Sequence, residues 1–184
     1  MMDYADTELG DVQSEQYDDT LSPPLFLMIC LAISHAIEVA TLGHTTGSGV
    51  PTFLKTTENL LAFRVLVFSA FPLMMALRLL YGLNVPLNRE SLRAPFYAQC
   101  FVTAPFAMLF GISQSIRHVD IPYISHVATA VLVLAFAWYI QQQAHWFKAK
   151  LEMSTIRSWS TAILMFVLTV VLLLIAMAIV VFSV

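Results

Sequence analysis

Long apolar runs separated by short polar segments occupy most of the chain, and they are its strongest structural signal. A membrane-spanning helix needs about 20 predominantly apolar residues, because each residue advances the helix by about 1.5 Å. Five runs are long enough, and they predict spanning helices over residues 24–43, 60–81, 95–116, 122–146 and 159–182. The fourth run is the least regular, since His126 and the glutamines at 141–143 interrupt it. We expect these glutamines to mark the point at which the fourth helix leaves the membrane.

Turn-forming residues are concentrated between the runs, where they end one helix and allow the next to begin. The predicted connections are residues 44–51, 82–93, 117–121 and 147–158. The sequence therefore predicts an all-α bundle of five spanning helices, formed by residues 23–184 and preceded by an N-terminal tail of residues 1–22.

The composition indicates that lipid is the surrounding solvent. Of the 184 residues, 59% are hydrophobic and only 11% are charged, whereas soluble domains contain about 25% charged residues. A small domain has much surface and little interior, so a globular core of this size cannot hide so much apolar surface. The two cysteines, Cys30 and Cys100, lie inside apolar runs and are interpreted as packing residues without a disulfide. Nucleic-acid binding has no support, because the isoelectric point is about 5.9 and no basic aromatic face is present.

The predicted tail is strongly acidic. It has no Lys or Arg and holds seven of the twelve acidic residues, namely Asp3, Asp6, Glu8, Asp11, Glu15, Asp18 and Asp19. One sign of charge with few apolar residues is typical of a disordered segment. The tail also lacks the basic start of a secretory signal, so we expect the first spanning helix to be retained as an anchor.

The distribution of Lys and Arg predicts the orientation, since these residues favour the cytoplasmic side in short loops. With five crossings, the N-terminus shares one side of the membrane with the second and fourth loops. That side holds six of the nine basic residues, namely Arg78, Arg89, Arg93, Lys148, Lys150 and Arg157. We therefore expect a cytoplasmic N-terminus and a C-terminus on the opposite side.

Four His, Glu and Arg residues lie in the predicted outer halves of the helices, where charge is costly and often functional. His35 and Glu38 are three residues apart on the first helix and therefore share a face. Arg64 enters the second helix, and His126 enters the fourth helix, from the side on which the first helix ends. We expect these four residues to form a polar cluster in the outer half of the membrane.

The predicted polar cluster has three interpretations. In the first, Glu38 and Arg64 form an ion pair that ties two helices together and keeps the carboxylate ionised, and the histidines are hydrogen-bonded packing residues. In the second, His35, Glu38 and His126 handle a proton or a metal, because imidazole and carboxylate at this spacing can ligate one ion. In the third, the same groups line a substrate path.

Proline lies in the middle of two predicted helices. Pro72 and Pro105 each remove a backbone hydrogen bond and are expected to kink their helices. The hydroxyl groups of Ser69 and Thr103 are close enough along the chain to bond the freed carbonyl groups. We interpret the kinks as packing features, and a broken helix that lines a transport cavity is the alternative.

The first helix opens with Ser-Pro-Pro (SPPLFLMICLAIS), and the third has an aromatic opening followed by Ala104-Pro105 (APFYAQCFVTAPFAMLFGI). These segments resemble the Yip1-type family of five-span membrane proteins. The resemblance covers residues 22–184 and is to the bacterial branch, whose members are commonly labelled permeases. It implies five spans and a bacterial inner membrane. The acidic pair that eukaryotic members use to recruit small GTPases has no counterpart in this sequence.

The residues and the resemblance together predict an integral membrane scaffold or accessory subunit with no enzymatic activity and no cofactor. We expect it to act through contacts with membrane lipids, other membrane proteins or its own copies. One alternative is a small-solute or ion permease that uses the predicted polar cluster and the helix kinks. The other is a membrane-embedded metalloenzyme centred on His35 and Glu38.

Overall fold

The computed structural model describes residues 21–42, 56–117, 119 and 121–183, and all regular structure in these ranges is α-helical. The five helices are α1 (Pro23–Leu42), α2 (Thr57–Leu83), α3 (Arg89–Ile116), α4 (Ile124–Leu151) and α5 (Thr155–Ser183). Each is long and apolar enough to cross a membrane, which confirms the predicted fold class and makes the protein an integral membrane protein. Residues 1–20 of the predicted tail and the predicted loop at 44–51 lie outside the described residues.

Consecutive helices run in opposite directions, so the bundle has two distinct ends. α1, α3 and α5 begin at one end, here called the Pro23 end, and α2 and α4 finish there. The helix termini meet as this arrangement requires, because a Cβ atom placed on Gly82 of α2 would lie 2.8 Å from Leu151 Cδ2 of α4. The opposite end is called the Leu42 end.

The start of α3 differs from the prediction. The helix begins at Arg89, six residues before the predicted start, and Pro95 lies inside it. The cause is a capping box, in which Asn88 Oδ1 accepts from the Ser91 backbone N–H at 2.7 Å and Ser91 Oγ accepts from the Asn88 N–H at 3.1 Å. Reciprocal capping satisfies two backbone donors that a helix start leaves free, so the last part of the predicted 82–93 loop is helical.

The glutamine run does not end α4, which continues to Leu151. Gln143 is fully buried inside the bundle. The expectation that the fourth helix leaves the membrane at this run stays a prediction. The following turn is short because Glu152 adopts a left-handed conformation with φ of 51°. Lys148 Nζ also donates to Thr155 Oγ1 at 2.9 Å, which ties the end of α4 to the start of α5.

α3 is the central helix of the bundle. In its most apolar window 56% of residues are buried, compared with 17% in α4 and in α5, and α3 contacts α1, α2 and α4. α1 approaches it most closely at Gly111, where an added Cβ would lie only 2.7 Å from Ser34 Cβ. Small residues permit such close helix approach in membranes. On its other side, Ser113 Oγ donates to the Ala128 carbonyl of α4 at 2.7 Å.

Pro72 and Pro105 lie inside continuous helices. The prediction that nearby hydroxyl groups satisfy the freed carbonyls is wrong. Ser69 Oγ donates to the Val65 carbonyl at 2.6 Å, which is one turn too early for Pro72. Thr103 Oγ1 is buried and forms no hydrogen bond with any described residue. Neither hydroxyl therefore bonds the carbonyl that the nearby proline frees.

The two cysteines are free and buried, as predicted. Cys30 lies in α1 and Cys100 in α3, and both belong to the hydrophobic core. They pack between helices and take no part in the polar contacts described below.

Candidate functional site

An ion pair joins α1 to α2 near the Leu42 end of the bundle. Arg64 Nη2 donates to Glu38 Oε2, so the ion pair that the sequence predicts is present. About one fifth of each side chain is exposed. A charge at membrane depth is costly when it stands alone, and an opposite charge in contact with it offsets much of that cost.

The two histidines occupy different environments. His35 is buried on α1, three residues before Glu38. His126 lies in the first turn of α4 with an exposed side chain, and its ring centroid is 6.3 Å from that of Tyr123. Within the described ranges, no three His, Cys, Asp or Glu residues form a group that could hold a metal ion. The structure therefore joins Glu38 to Arg64 and leaves His126 on the outside of the bundle.

A partly open cavity of about 560 Å³ lies beside the ion pair, in the half of the bundle nearer the Leu42 end. All five helices contribute to its lining. Ser34 and Arg64 are the polar residues among the described lining residues, and the other lining residues are apolar. The walls include Leu60, Phe63 and Val67 of α2 and Val170, Leu173 and Met177 of α5.

Four phenylalanine rings close the cavity toward the middle of the bundle. They are Phe71, Phe106, Phe136 and Phe166, and all four line the cavity. The Phe71 and Phe166 centroids are 5.3 Å apart, and the Phe106 and Phe136 centroids are 5.2 Å apart. Tyr139 stacks on Phe106 at 4.6 Å. Such ring pairs contribute about 0.5–1.5 kcal/mol each beyond the area they bury, so these rings form a firm aromatic floor. The cavity with this floor is called the aromatic cup.

Arg64 connects the ion pair to the aromatic cup. Its guanidinium has five N–H donors, and one of them is used in the bond to Glu38. Because Arg64 also lines the cavity, it presents hydrogen-bond donors to a space that is otherwise almost entirely apolar. The Ser34 hydroxyl, the other polar lining group, is bonded to the Leu31 carbonyl of its own helix at 3.0 Å.

A second polar region lies on the other side of the aromatic floor, toward the Pro23 end. Gln99 of α3 and Gln143 of α4 exchange two amide hydrogen bonds of 2.9 and 2.6 Å, and both residues are fully buried. The hydroxyl of Tyr139 lies beside Thr103 and Gln143, although it forms no hydrogen bond of normal geometry with a described residue. This polar core ties α3 to α4.

The polar core was not predicted from the sequence. A signal was present, because Gln99 follows the start of α3 by nearly the same number of residues as Gln143 precedes the end of α4. Antiparallel neighbours would therefore place the two amides at a similar depth. Sequence alone does not show that α3 and α4 turn these faces toward each other.

We compared the chain with protein families, curated proteins and solved structures. No protein-family model matches the chain, and no curated protein or solved structure is significantly similar to it. The resemblance to the Yip1-type family therefore stays a prediction. The aromatic cup with Arg64 in its wall is the arrangement in the described residues that is best suited to hold a molecule.

Proposed function

We propose that this protein is a non-enzymatic accessory protein of the membrane that holds a lipid-like amphiphile in the aromatic cup. The alkyl chain of the amphiphile lies among the phenylalanine and leucine side chains, and a small oxygen-containing head group accepts hydrogen bonds from Arg64. The observation that supports this proposal is an apolar cavity in which one guanidinium supplies the free donors.

The size and lining of the cup suit such a ligand. Binding sites for small molecules usually occupy about 300–1,000 Å³ and combine an apolar lining with few polar groups that fix orientation. The cup, at about 560 Å³, has this composition. Because Arg64 is already paired with Glu38, the site favours a head group that accepts hydrogen bonds and does not need a strong counter-charge, such as a carboxylic acid, an ester or an alcohol.

The aromatic floor gives this proposal an advantage over a permease. A path for small solutes would have to connect the Glu38–Arg64 pair with the Gln99–Gln143 pair. The stacked rings of Phe106 and Tyr139 lie between these two polar regions. A permease would therefore need the floor to open, whereas binding of an alkyl chain uses the floor as it stands.

The test is photolabelling with a photoactivatable analogue of palmitic acid. The full-length protein is placed in phosphatidylcholine nanodiscs, labelled, and digested, and the labelled peptides are identified by mass spectrometry. Val170→Trp fills the cup, because Val170 lines it. Val171→Trp is the matched control, because Val171 is the next residue and faces outward. We expect labelling within residues 60–71 and 166–177, reduced on the order of tenfold by Val170→Trp and unchanged by Val171→Trp.

Two further variants protect the test from a folding defect. Val67→Phe fills the cup from α2 and should also reduce labelling. It replaces Val170→Trp in the comparison if that variant folds poorly. The double variant Glu38→Gln/Arg64→Gln removes the charges without leaving one unpaired, and it should weaken labelling of the cup while the helix content is kept. Equal labelling of both tryptophan variants, or labels spread over the exposed faces of α4 and α5, would overturn the proposal.

A further inference from the structure

A second cavity, separate from the aromatic cup, lies between α2 and α3 toward the Pro23 end. Its volume is about 740 Å³, and its lining includes the first turns of α3 and the middle of α2. This cavity is called the basic cleft, because Arg89 and Arg93 both line it. It uses none of the residues of the cup, so it stands independently of the proposed function.

Neither arginine of the cleft forms an ion pair with a carboxylate of the described residues. Among the described residues, the ion pair that forms is Glu38 with Arg64, which lies outside the cleft. Glu90 lines the cleft as well, but it forms no ion pair with Arg89 or Arg93. The cleft therefore carries two positive charges against one negative charge.

Arg93 is held in place by an aromatic ring. Its guanidinium carbon lies 5.4 Å from the centroid of Tyr97, one turn further along α3. A cation over the face of a tyrosine ring is attracted by the ring electrons and leaves its N–H donors free at the edge of the guanidinium plane. Arginine in this arrangement is suited to bind phosphate oxygens through two parallel hydrogen bonds.

The shape of the cleft points to a lipid and away from a free anion. The charged residues stand at the start of α3, whereas Leu73 and Phe96 provide an apolar wall. Ser69, which also lines the cleft, lies roughly 20 Å from the end of α2 when each residue advances the helix by about 1.5 Å. The cleft thus extends from a basic rim toward the depth of an acyl chain.

We propose that the basic cleft binds an anionic phospholipid, with the phosphate at Arg89 and Arg93 and an acyl chain along Leu73 and Phe96. Basic pockets between spanning helices recognise anionic head groups on the cytoplasmic side. The cleft lies at the end of the bundle for which the distribution of Lys and Arg predicts that side.

The experiment measures lipid binding to the full-length protein by native mass spectrometry. The protein is purified in a mild neutral detergent and titrated separately with phosphatidylglycerol, phosphatidylcholine and inorganic phosphate. Wild type is compared with Arg89→Gln/Arg93→Gln and with the control Arg157→Gln, an exposed arginine near the start of α5 at the same end of the bundle. Each of the two arginines proposed to contact the phosphate is expected to change binding about fivefold, the effect of roughly 1 kcal/mol per basic residue.

We expect wild type and Arg157→Gln to bind phosphatidylglycerol at least tenfold more tightly than phosphatidylcholine, and the double variant to lose this preference. Glu90→Gln gives an independent check, because Glu90 is exposed and its removal should strengthen phosphatidylglycerol binding. The proposal is overturned if the Arg89/Arg93 and Arg157 variants lose the same amount of binding. It is also overturned if inorganic phosphate in large excess displaces the lipid, because the site would then recognise phosphate alone.

Discussion

Replacing Gln99 with leucine removes one half of the amide pair that joins α3 to α4. Gln143 would then keep a polar side chain in the core without its amide partner. A leucine at position 143 instead leaves Gln99 in the same condition. Replacing both residues removes the polar groups together and leaves two apolar side chains of similar volume in contact. The pair therefore offers a double-mutant cycle in which the loss of stability in the double variant should be well below the sum of the two single losses.

The structure sets the size of the effect. The two bonds measure 2.9 and 2.6 Å between fully buried residues. Hydrogen bonds between membrane helices average about 0.6 kcal/mol and reach about 1.7 kcal/mol, so two of them contribute roughly 1–3 kcal/mol. Stranding a buried amide costs about 1–3 kcal/mol. We expect each single variant to lose about 2 kcal/mol of unfolding free energy, and the double variant to lose about 2 kcal/mol less than the sum of the two.

The assay is reversible unfolding in mixed micelles with an increasing mole fraction of dodecyl sulfate, followed by circular dichroism. Gln141→Leu is the matched control, because Gln141 belongs to the same glutamine run but is exposed, and its effect should stay within about 0.5 kcal/mol. If the double variant instead equals the sum of the singles within about 0.5 kcal/mol, Gln99 and Gln143 are not coupled and the reasoning fails.

Two further predictions concern the Leu42 half of the bundle, and both are measured by the same unfolding assay. Glu38→Gln leaves Arg64 without its partner and should lower the unfolding free energy by roughly 1–3 kcal/mol. The loss is less than for a fully buried pair, because the two side chains are partly exposed. The double variant Glu38→Gln/Arg64→Gln should recover most of the loss. Gly111→Ala should destabilise by about 1–3 kcal/mol, because the new methyl group meets Ser34 Cβ at 2.7 Å and forces α1 away from α3.

Each of these predictions has an outcome that contradicts it. If the double charge variant is as unstable as Glu38→Gln, the loss does not come from an unpaired guanidinium. For the glycine, the matched change is Gly82→Ala, whose methyl group would meet the movable ends of Leu151 and Arg78. Its effect should be small, because those side chains can move aside and alanine favours the helix. Equal losses at the two glycines would contradict the close packing of α1 on α3.

The helices themselves could be predicted from the sequence because length and hydropathy are properties of each segment alone. Their ends were harder to predict, and the reasons are local. At the start of α3, Asn88 and Ser91 fall in the predicted 82–93 loop, but their side chains cap a helix when they bond each other's backbone. Near the end of α4, the glutamines interrupt the apolar run. One of them, Gln143, is nevertheless tolerated in the core, because Gln99 on the neighbouring helix satisfies its hydrogen bonds.

The candidate site was predictable in part for the same reason. The Glu38–Arg64 pair follows from charge, because two opposite charges at similar depth on neighbouring helices strongly favour contact in lipid. The aromatic cup does not follow from any single segment. Phe71, Phe106 and Phe166 come from three helices, and their meeting depends on how far each helix is rotated about its axis. That rotation is set by the packing of all five helices and leaves no separate signal in the pattern of apolar residues.

For the proposed amphiphile, the aromatic floor would limit the length of the alkyl chain that fits in the cup. Arg64 and Phe71 both line the cavity wall on α2, and seven residues of helix separate them by roughly 10 Å. A guest that enters from the Leu42 end and keeps its oxygen atoms near Arg64 reaches the rings after a fixed stretch of hydrocarbon. Shorter tails leave empty space above the rings, and longer ones must fold back or protrude between the helices. Discrimination among homologous guests would therefore depend on the number of carbon atoms, and moving the rings by one helical turn would reset the preferred number.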